Sequence, residues 1–478
     1  MSAMPIAEPP VQACPLRAAF ERLRAGFDAE RDPSHAVRIE RLRRLEAMLQ
    51  QMAPAMITAI SDDFGHRPEQ VTQLADIVPV QLAARHARKH LAQWMKTRRV
   101  ATGLVHRPGF NRLMRQPLGV VGVVSPWNYP GMLALAPAIA ALAAGNRVML
   151  KPSEIGPRFS ELLREQVAAT FAPEEMAVVT GDAELGRAFV ALPFDHLLFT
   201  GSTAVGRQVA MAAAANLTPV TLELGGKSPA ILATDCDLAL VVPRILFGKL
   251  LNSGQTCIAP DYVLLPRNLR EAFVKAMRRA HAAQYPTVAA NPDYTSIATE
   301  RHYRRLLELL DEARAEGAQV VPLHAEAPSD AARKLPLHLV LDAPPHLRVM
   351  REEIFGPILP VITYERVEQA IAHVNAGERP LALYWFGNDE AERERVLRQT
   401  LVGGVTVNDT LLHIGQEELP FGGVGASGMG AYHGEWGFRT FSKETGVYHQ
   451  SPYSAVKLLY PPFGAAFERL LGAMRKLG

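Results

Sequence analysis

Two side chains in this sequence have the chemistry of a covalent catalyst. Cys257 lies in the stretch LLNSGQTCIAPDYVLL (250–265), among small and polar residues and directly before an apolar, strand-like run. A free cysteine is usually an apolar core residue, and it reacts only where its surroundings favour the thiolate. Glu223, in TLELGGKSP, precedes a Gly-Gly pair in an otherwise apolar stretch. Such a carboxyl group has a raised pKa, which suits a general base, unless a salt bridge with Lys227 stabilises it.

A rigid turn offers a hydrogen-bond donor. In SPWNYP, two prolines and two aromatic residues surround Asn128. A preoriented side-chain amide beside a reacting carbonyl can stabilise an oxyanion. The alternative is a tight turn capped by asparagine, with no chemical role.

A glycine turn, FTGSTAVG, places Gly201, Ser202 and Gly206 between a predicted strand and a predicted helix. Backbone N–H groups at the start of a helix favour a phosphate. Because residue 203 is threonine, the turn lacks the G-x-G-x-x-G fingerprint of dinucleotide-binding sites. Taken alone, a glycine-containing segment of this kind is more often an ordinary turn.

Other polar side chains fall where a ribose would be bound. Lys151 and Glu154, in LKPSE, follow a predicted strand, and ligands of open α/β sheets collect at the carboxyl ends of the strands. A carboxylate at the adenosine ribose accepts the 2′-hydroxyl of NAD and repels the phosphate of NADP. Glu353 and Phe355 lie in REEIFGP. For Lys151 and Glu154, simple exposure to solvent is the alternative.

The elements that would position these residues follow an α/β pattern. Helical spacing extends from about residue 15 to 98, and short apolar strands then alternate with helices. That alternation predicts parallel βαβ units in two doubly wound sheets. The strand candidates in the second series are SPAILA, YVLLP, AQVVPLH and PILPVITY, and the glycine-rich stretch LPFGGVGASGMGAYHGEWGF is expected to be an ordered loop.

Composition excludes several classes of protein. The 478 residues are 48% hydrophobic and 21% charged, with a formal net charge of +3, which is typical of a globular protein with more than one domain. The basic clusters RIERLRRLEAMLQ (38–50) and RHARKH (85–90) are interpreted as solvated helix faces, and no nucleic-acid partner is expected. The three cysteines lack metal-ligand spacing, and no metal site is predicted.

No membrane anchor is expected either. The apolar segment GMLALAPAIAALAAG (131–145) is shorter than the roughly 20 residues that span a bilayer and contains Pro137, which indicates a buried helix. The first residues have no signal-peptide pattern, and cysteine usage fits a reducing compartment. We therefore expect a cytoplasmic protein.

Together these motifs resemble the NAD(P)-dependent aldehyde dehydrogenases. The similarity covers PWNYP, LKPSE, FTGSTAVG, LELGGKSP, GQTC, EEIFGP and LPFGGVGASGMGAYHG, from about residue 115 to 445. The resemblance implies that the Cys257 thiolate attacks an aldehyde and that Asn128 and the backbone N–H of Cys257 hold the oxyanion. It further implies that hydride transfer leaves a thioester, which water activated by Glu223 hydrolyses.

The resemblance also implies the cofactor site, which would take NAD, with NADP as an alternative. Lys151 and Glu353 match the residues that bind the two riboses, and Glu154 matches one associated with NAD preference. The residues expected near the nicotinamide and the pyrophosphate are Trp127, Phe355, Gly201, Ser202 and Gly206.

The family architecture implies a division of the chain. Residues 1–220 would form the NAD(P)-binding domain, interrupted by an oligomerisation hairpin at about 98–117. Residues 221–404 would form the catalytic domain, and residues 405–478 a loop, an oligomerisation strand and a terminal helix. A homodimer formed through the hairpin is expected.

Within the family, PFGGVGASGMGAYHG and KLLYPPFG resemble the class 3 branch, and VNDTLLHIGQEELPFGG resembles the bacterial coniferyl aldehyde dehydrogenases. The predicted substrate is an aromatic aldehyde, with a long-chain fatty aldehyde as the alternative. His413 is either a residue of the substrate entrance or a loop histidine. The apolar residues of AAFERLLGAMRKLG have helical spacing, which fits a docked helix or one lying on a membrane surface.

Three other functions remain open at this point. A CoA-acylating enzyme would not need Glu223 as a water-activating base. A binding or structural protein on the same scaffold would not need the full set of chemical residues. A cysteine hydrolase would need a histidine partner, and no matching motif is present.

Overall fold

The computed structural model describes residues 13–477. Its helices alternate with strands after a helical N-terminal part. They are α1 (Ala13–Ala29), α2 (His35–Phe64), α3 (Glu69–Thr72), α4 (Val78–Trp94), α5 (Pro130–Ala144), α6 (Pro157–Thr170), α7 (Ala183–Val190), α8 (Thr203–Ala214), α9 (Leu238–Leu250), α10 (Arg270–Gln284), α11 (Glu300–Ala315), α12 (Arg348–Arg351), α13 (Val367–Ala376), α14 (Glu390–Gln399), α15 (Gly434–Thr440) and α16 (Ala465–Leu477).

The strands over the same residues form three sheets. They are β1 (Arg98–Val100), β2 (Phe110–Pro117), β3 (Val120–Val124), β4 (Arg147–Lys151), β5 (Met176–Val178), β6 (His196–Gly201), β7 (Val220–Leu224), β8 (Pro229–Leu232), β9 (Tyr262–Pro266), β10 (Gln319–Pro322), β11 (His338–Leu341), β12 (Ile358–Tyr364), β13 (Ala382–Phe386), β14 (Gly404–Val407), β15 (Gly428–Met429) and β16 (Ser442–His449).

The first large sheet has the order β15-β7-β6-β3-β4-β5 and is parallel except at the β15 edge. Its inner strands are buried on both faces, which explains their nearly continuous apolar sequences. The expected domain boundary at residue 220 falls at the start of β7, and β7 continues the sheet to Leu224. The edge strand of the sheet beside β7 is β15. The glycine-rich stretch therefore supplies a short strand as well as a loop.

The second large sheet has the order β10-β11-β12-β9-β8-β13-β14, with β10 antiparallel to its neighbour. All the strand candidates of the second series lie in it. The expected architecture of two parallel α/β sheets is thus confirmed. The short sequences around β11, β13 and β14 were not singled out as strands beforehand.

The third sheet joins distant parts of the chain. β1 and β2 form the expected hairpin, and β16 pairs antiparallel with the whole of β2. All three residues of β1 are exposed at the sheet's edge. In α16, the side chains of Phe467, Leu470, Leu471 and Met474 are half-buried, and the helix contacts the turn Leu104–His106 of the hairpin.

Helix α5 is the buried helix predicted from the apolar segment, and every one of its residues is buried. Pro130 occupies its first turn, where the missing N–H costs nothing, and Gly145 ends it with a positive φ of 94°. Among residues 13–477, no helix combines the length and the hydrophobicity needed to cross a membrane.

One expectation about charge is wrong. Arg38 and Arg41, read as part of a solvated helix face, are 2% and 3% exposed. Arg38 donates to the carbonyl oxygens of Ala143 and Ala144 at the end of α5, and Arg41 donates to Glu30 and Glu175. Acceptors offset the cost of burying a guanidinium group, and here they come from other parts of the fold. Nη1 of Arg41 is the exception, since it is buried without a partner among the described residues.

Candidate active site

A cavity of about 290 Å³ lies where the carboxyl ends of β3, β6 and β7 meet a loop of the second sheet. Eight of the residues predicted from the sequence line it, namely Trp127, Asn128, Gly201, Ser202, Glu223, Cys257, Glu353 and Phe355. Its other lining residues were not predicted and include Thr200, Gly225, Arg301, His302 and Arg305. Lys151, Glu154 and Gly206 lie outside the lining.

The backbone conformation directly before Cys257 explains why small and polar residues occur there. Asn252, Ser253 and Gly254 have positive φ values of 53°, 53° and 77° in succession. Such a run is costly for residues with a Cβ and needs support from its surroundings. The Gln255 side chain provides it, because its amide donates to Asn252 and Ser296 and accepts from the N–H of Ala298.

The electrostatics around the thiol are dominated by burial. Glu223 is 1% exposed, and neither of its carboxylate oxygens has a hydrogen-bond partner within residues 13–477. Burial raises the pKa of Glu223 to about 8, and the Cys257 thiol partly opposes this rise. Burial, followed by the charges of Glu223 and Glu353, raises the pKa of Cys257 well above its usual value. The cavity thus holds a protonated thiol beside a carboxyl group that titrates near neutral pH.

Glu223 does not form a salt bridge with Lys227 in the structure. Lys227 instead pairs with Asp261 and donates to the carbonyl oxygens of Val349 and Glu352. Glu223 is consequently left without a cation, in β7 opposite Thr200 of β6. The Thr200 hydroxyl is also buried without a partner in the described part of the chain.

The turn that carries Asn128 is fixed from below by a buried ion pair. Arg67 donates to the Asn128 carbonyl oxygen at 3.0 Å and to Asp76 at 2.7 Å, and both members of the pair are fully buried. Asn252 donates to the same carbonyl oxygen at 3.1 Å. The Asn128 amide donates to Gln255 at 3.2 Å, and its second N–H is left for the cavity that Asn128 lines.

Aromatic rings form one wall of the cavity. Trp127 stacks on His302 at a centroid distance of 5.1 Å and meets Phe355 edge-on at 5.6 Å. Phe355 has a φ of 55°, a conformation that Arg305 helps to maintain by donating to the carbonyl oxygens of Ile354 and Glu353. Sequence reasoning missed Arg305 because it belongs to the charged helix α11, whose residues gave no signal of a site.

The two adjacent glutamates differ sharply in environment. Glu352 is exposed and paired with Arg305 and Arg348. The Glu353 carboxylate is enclosed, and one of its oxygens is buried without a partner. Burial, and next the Asp261 carboxylate, raises the pKa of Glu353 to about 8. A Cβ on Gly225 would lie 2.0 Å from this carboxylate, so the first glycine of LELGG is required for its approach.

The turn between β6 and α8 is the segment in which the sequence predicts a phosphate site. Ser202 caps α8 by accepting the N–H of Val205 at 3.4 Å, which leaves backbone N–H groups of the first turn exposed to a ligand. Gly206 is buried, and a Cβ there would lie 2.6 Å from Leu224. This glycine therefore allows the helix to pack on β7, while Gly201 and Ser202 face the cavity.

Lys151 and Glu154 lie at the carboxyl end of β4, beside the cavity rather than in it. The Lys151 ammonium donates to Glu154 at 3.1 Å and to the carbonyl of Pro152 at 3.2 Å. Lys151 is buried and Glu154 is exposed. Because β4 is adjacent to β3, this pair lies on the same sheet edge as the turn that carries Asn128.

His413 is not part of the cavity lining. It is buried, one of its ring nitrogens lies 2.8 Å from the Thr406 hydroxyl, and burial lowers its pKa to about 4. Its other ring nitrogen has no partner in residues 13–477.

The fold and the site have their counterparts in one family. The model of the aldehyde dehydrogenase family matches residues 9–447, and the chain belongs to this family. It is therefore an oxidoreductase that acts on aldehydes, as the motifs predicted.

Individual relatives agree with this assignment. The chain is 49% identical to a probable coniferyl aldehyde dehydrogenase of Pseudomonas aeruginosa, over 95% of both chains. A substrate-bound structure of Staphylococcus aureus AldH is 34% identical, with a TM-score of 0.91 over 96% of this chain and 99% of that one. A Mycobacterium tuberculosis aldehyde dehydrogenase solved with NAD+ is 28% identical, with a TM-score of 0.81 over 92% and 90% of the two chains.

The raised thiol pKa predicts how Cys257 reacts before any ligand binds. Below its pKa, the thiolate fraction of a thiol rises about tenfold for each pH unit. Carbamidomethylation of Cys257 by iodoacetamide in the cofactor-free enzyme is therefore expected to accelerate from pH 7 to beyond pH 9 without a plateau. Peptide mass spectrometry measures the rate, with Cys236 as the internal reference, because burial raises its pKa to about 11. A plateau for Cys257 below pH 8 would contradict the assignment.

Proposed function

We propose that this enzyme oxidises an aromatic aldehyde to the carboxylic acid with NAD, through a thioester on Cys257. The observation that carries the proposal is a single cavity with a thiol, a partnerless buried carboxyl group and an oriented amide. The relative named as a probable coniferyl aldehyde dehydrogenase supports an aromatic substrate. A long-chain fatty aldehyde is the alternative.

Cys257 is the nucleophile in this proposal. Its neighbour Glu223 takes the thiol proton, and the resulting thiolate adds to the aldehyde carbon to give a thiohemiacetal. A carboxyl group with a pKa near 8 is matched to this proton transfer at neutral pH. The reaction then needs stabilisation of the negative oxygen that forms on the former aldehyde carbon.

Two N–H groups are assigned to that oxygen. One is the second amide N–H of Asn128, whose position depends on Arg67 and Asn252 below the turn. The other is the backbone N–H of Cys257, which has no backbone acceptor among the hydrogen bonds of the described residues. Donors that are fixed beforehand stabilise a developing charge without reorganisation.

The residues present fit a nicotinamide cofactor. The first turn of α8 would hold the pyrophosphate. Lys151 and Glu154 would bind one ribose. Glu353 would bind the other ribose through its enclosed oxygen, which has no partner among the described residues. Trp127 and Phe355 would flank the nicotinamide. When bound, the cofactor accepts the hydride of the thiohemiacetal.

Glu223 has a second task in this proposal. After oxidation, Glu223 first releases the thiol proton to solvent. It then removes a proton from a water molecule that attacks the thioester, and this proton passes to the Cys257 sulfur as the acid leaves. A CoA-acylating enzyme would pass the acyl group to CoA and would not need this base. The buried, partnerless carboxyl group therefore favours hydrolysis.

The main test combines substrate and mutation. Purified enzyme given NAD and coniferyl aldehyde is expected to form NADH without CoA, and faster than with a long-chain aliphatic aldehyde. Cys257→Ser should lower the turnover by at least about a thousandfold, since no comparable nucleophile remains.

Glu223→Gln should accumulate acyl-enzyme, measured by intact-protein mass spectrometry after rapid quenching. Glu368→Gln is the matched control, because Glu368 is an exposed glutamate of α13 that is paired with Arg395 and does not line the cavity. Unimpaired deacylation in Glu223→Gln would exclude Glu223 as the base that activates water.

Cofactor choice gives a separate prediction. If Glu154 faces the adenosine ribose, Glu154→Gln removes the charge that repels the 2′-phosphate of NADP. The ratio of kcat/KM for NADP to that for NAD should then rise about tenfold. Glu161→Gln is the control, because Glu161 is an exposed glutamate of α6 paired with Arg164. An unchanged ratio would place Glu154 away from the ribose.

We further propose a division into two domains. Residues 1–220, together with the rest of β7, form the cofactor-binding domain, and the residues after β7 up to residue 404 form the catalytic domain. We also propose that the enzyme is a cytoplasmic homodimer. The exposed edge strand β1 supports dimerisation, because unpaired N–H and C=O groups at a sheet edge can extend a partner's sheet.

Light scattering during gel filtration checks this assembly. The expected mass is twice that of the chain and should persist on dilution to low micromolar concentration. A species with the mass of a single chain at those concentrations would exclude a stable dimer.

A further inference from the structure

A second cluster of ligand-type side chains lies away from the catalytic cavity. His86 and His90 are one helical turn apart in α4, and Glu418 approaches them from the segment after His413. One ring nitrogen of each histidine and a Glu418 carboxylate oxygen lie within 4.8 Å of one another. We infer that His86, His90 and Glu418 form a site for a divalent transition-metal ion such as Zn²⁺.

The histidine rings are held in position. Nδ1 of His90 lies 3.0 Å from the carbonyl oxygen of His86, so this nitrogen carries the hydrogen and Nε2 keeps its lone pair. Ligating histidines commonly have such a contact, because it fixes the tautomer and the ring orientation. Trp94, one further turn along α4, packs on both rings at centroid distances of 5.6 and 6.0 Å.

The distances suit a small ion. Nε2 of His86 lies 3.6 Å from Oε1 of Glu418. In a tetrahedral zinc site, bonds of about 2.0–2.1 Å place ligand atoms about 3.4 Å apart. The Glu418 side chain is 79% exposed and can adjust to close the small difference. A Cβ on Gly434 would lie 3.3 Å from Nε2 of His86, so glycine at this position leaves the approach open.

The donor set selects the class of metal. Two imidazoles and one carboxylate are ligands of Zn²⁺, Co²⁺ and Ni²⁺, whereas Mg²⁺ and Ca²⁺ prefer oxygen ligands alone. Three protein ligands leave a coordination position for water.

The neighbouring charges permit a cation. Arg85 and Arg88 of the same helix are engaged by the carboxylate of Glu46. Glu417 contributes a further carboxylate, which accepts the N–H of Gly434 at 3.0 Å. Lys89 lies nearby as a further cation among the described residues.

A bound ion would connect α4 to the base of the glycine-rich segment. That segment is closed by backbone hydrogen bonds between Phe421 and Tyr432, and Gly428 within it pairs with Glu223. The inference does not depend on the proposed aldehyde reaction.

Metal titration of chelator-treated protein tests the site. The parent should be Cys257→Ser, so that the active-site thiol does not compete for the ion. Co²⁺ binding, followed by its visible d–d absorption, and Zn²⁺ binding, followed by calorimetry, are expected to give one ion per chain. His86→Ala and His90→Ala should each weaken binding at least about tenfold. Zn²⁺ should raise the unfolding temperature of the parent but not of these variants.

Two further variants keep the test decisive. Glu418→Ala changes an exposed side chain, so it should fold normally and still weaken binding. His346→Ala is the control, since this exposed histidine has a single carboxylate neighbour, Glu316, and its loss should leave the affinity unchanged. Absence of saturable binding in the parent, or unchanged affinity in His86→Ala, His90→Ala and Glu418→Ala, would overturn the inference.

Discussion

The buried ion pair between Arg67 and Asp76 is the interaction on which the active-site architecture depends. Asp76 accepts the N–H groups of Gly131 and Met132 at the start of α5, while Arg67 holds the carbonyl oxygen of Asn128. One pair thus fixes Asn128, the proposed oxyanion donor, relative to a completely buried helix. Removal of either partner would leave a buried charge uncompensated and would therefore be strongly destabilising. The amide is consequently oriented before any substrate binds.

Burial around the cavity raises the pKa values of its carboxyl groups. Glu223 and Glu353 both have a pKa raised to about 8, with burial as the largest cause. The exposed neighbour Glu352, paired with arginines, has a lowered pKa. The same residue type is therefore a proton acceptor near neutral pH in one place and a permanent anion one residue away. In the proposed mechanism, Glu223 and Glu353 act within the site, whereas Glu352 supports the loop that carries Glu353.

Much of the fold and of the candidate site could be predicted from local sequence. Parallel strands buried on both faces have nearly continuous apolar sequences, so β3, β6 and β12 were identifiable without a structure. Long-range pairing was not identifiable. Whether Arg38 is solvated depends on carbonyl groups about a hundred residues away in α5, and Arg305 reaches the site only because α11 packs beside the loop with Glu353.

The sequence alone determined the family, the candidate nucleophile Cys257 and the residues expected to act with it, because each lies in a short motif whose local conformation the motif itself specifies. Tertiary structure decided which charged groups are paired. Lys227 binds Asp261 and leaves Glu223 without a cation. The tertiary structure also brings Glu418 to the two histidines of α4, within the basic segment for which the sequence predicts a solvated surface. Pairing of charges is a property of distances in space, and spacing along the chain does not encode those distances.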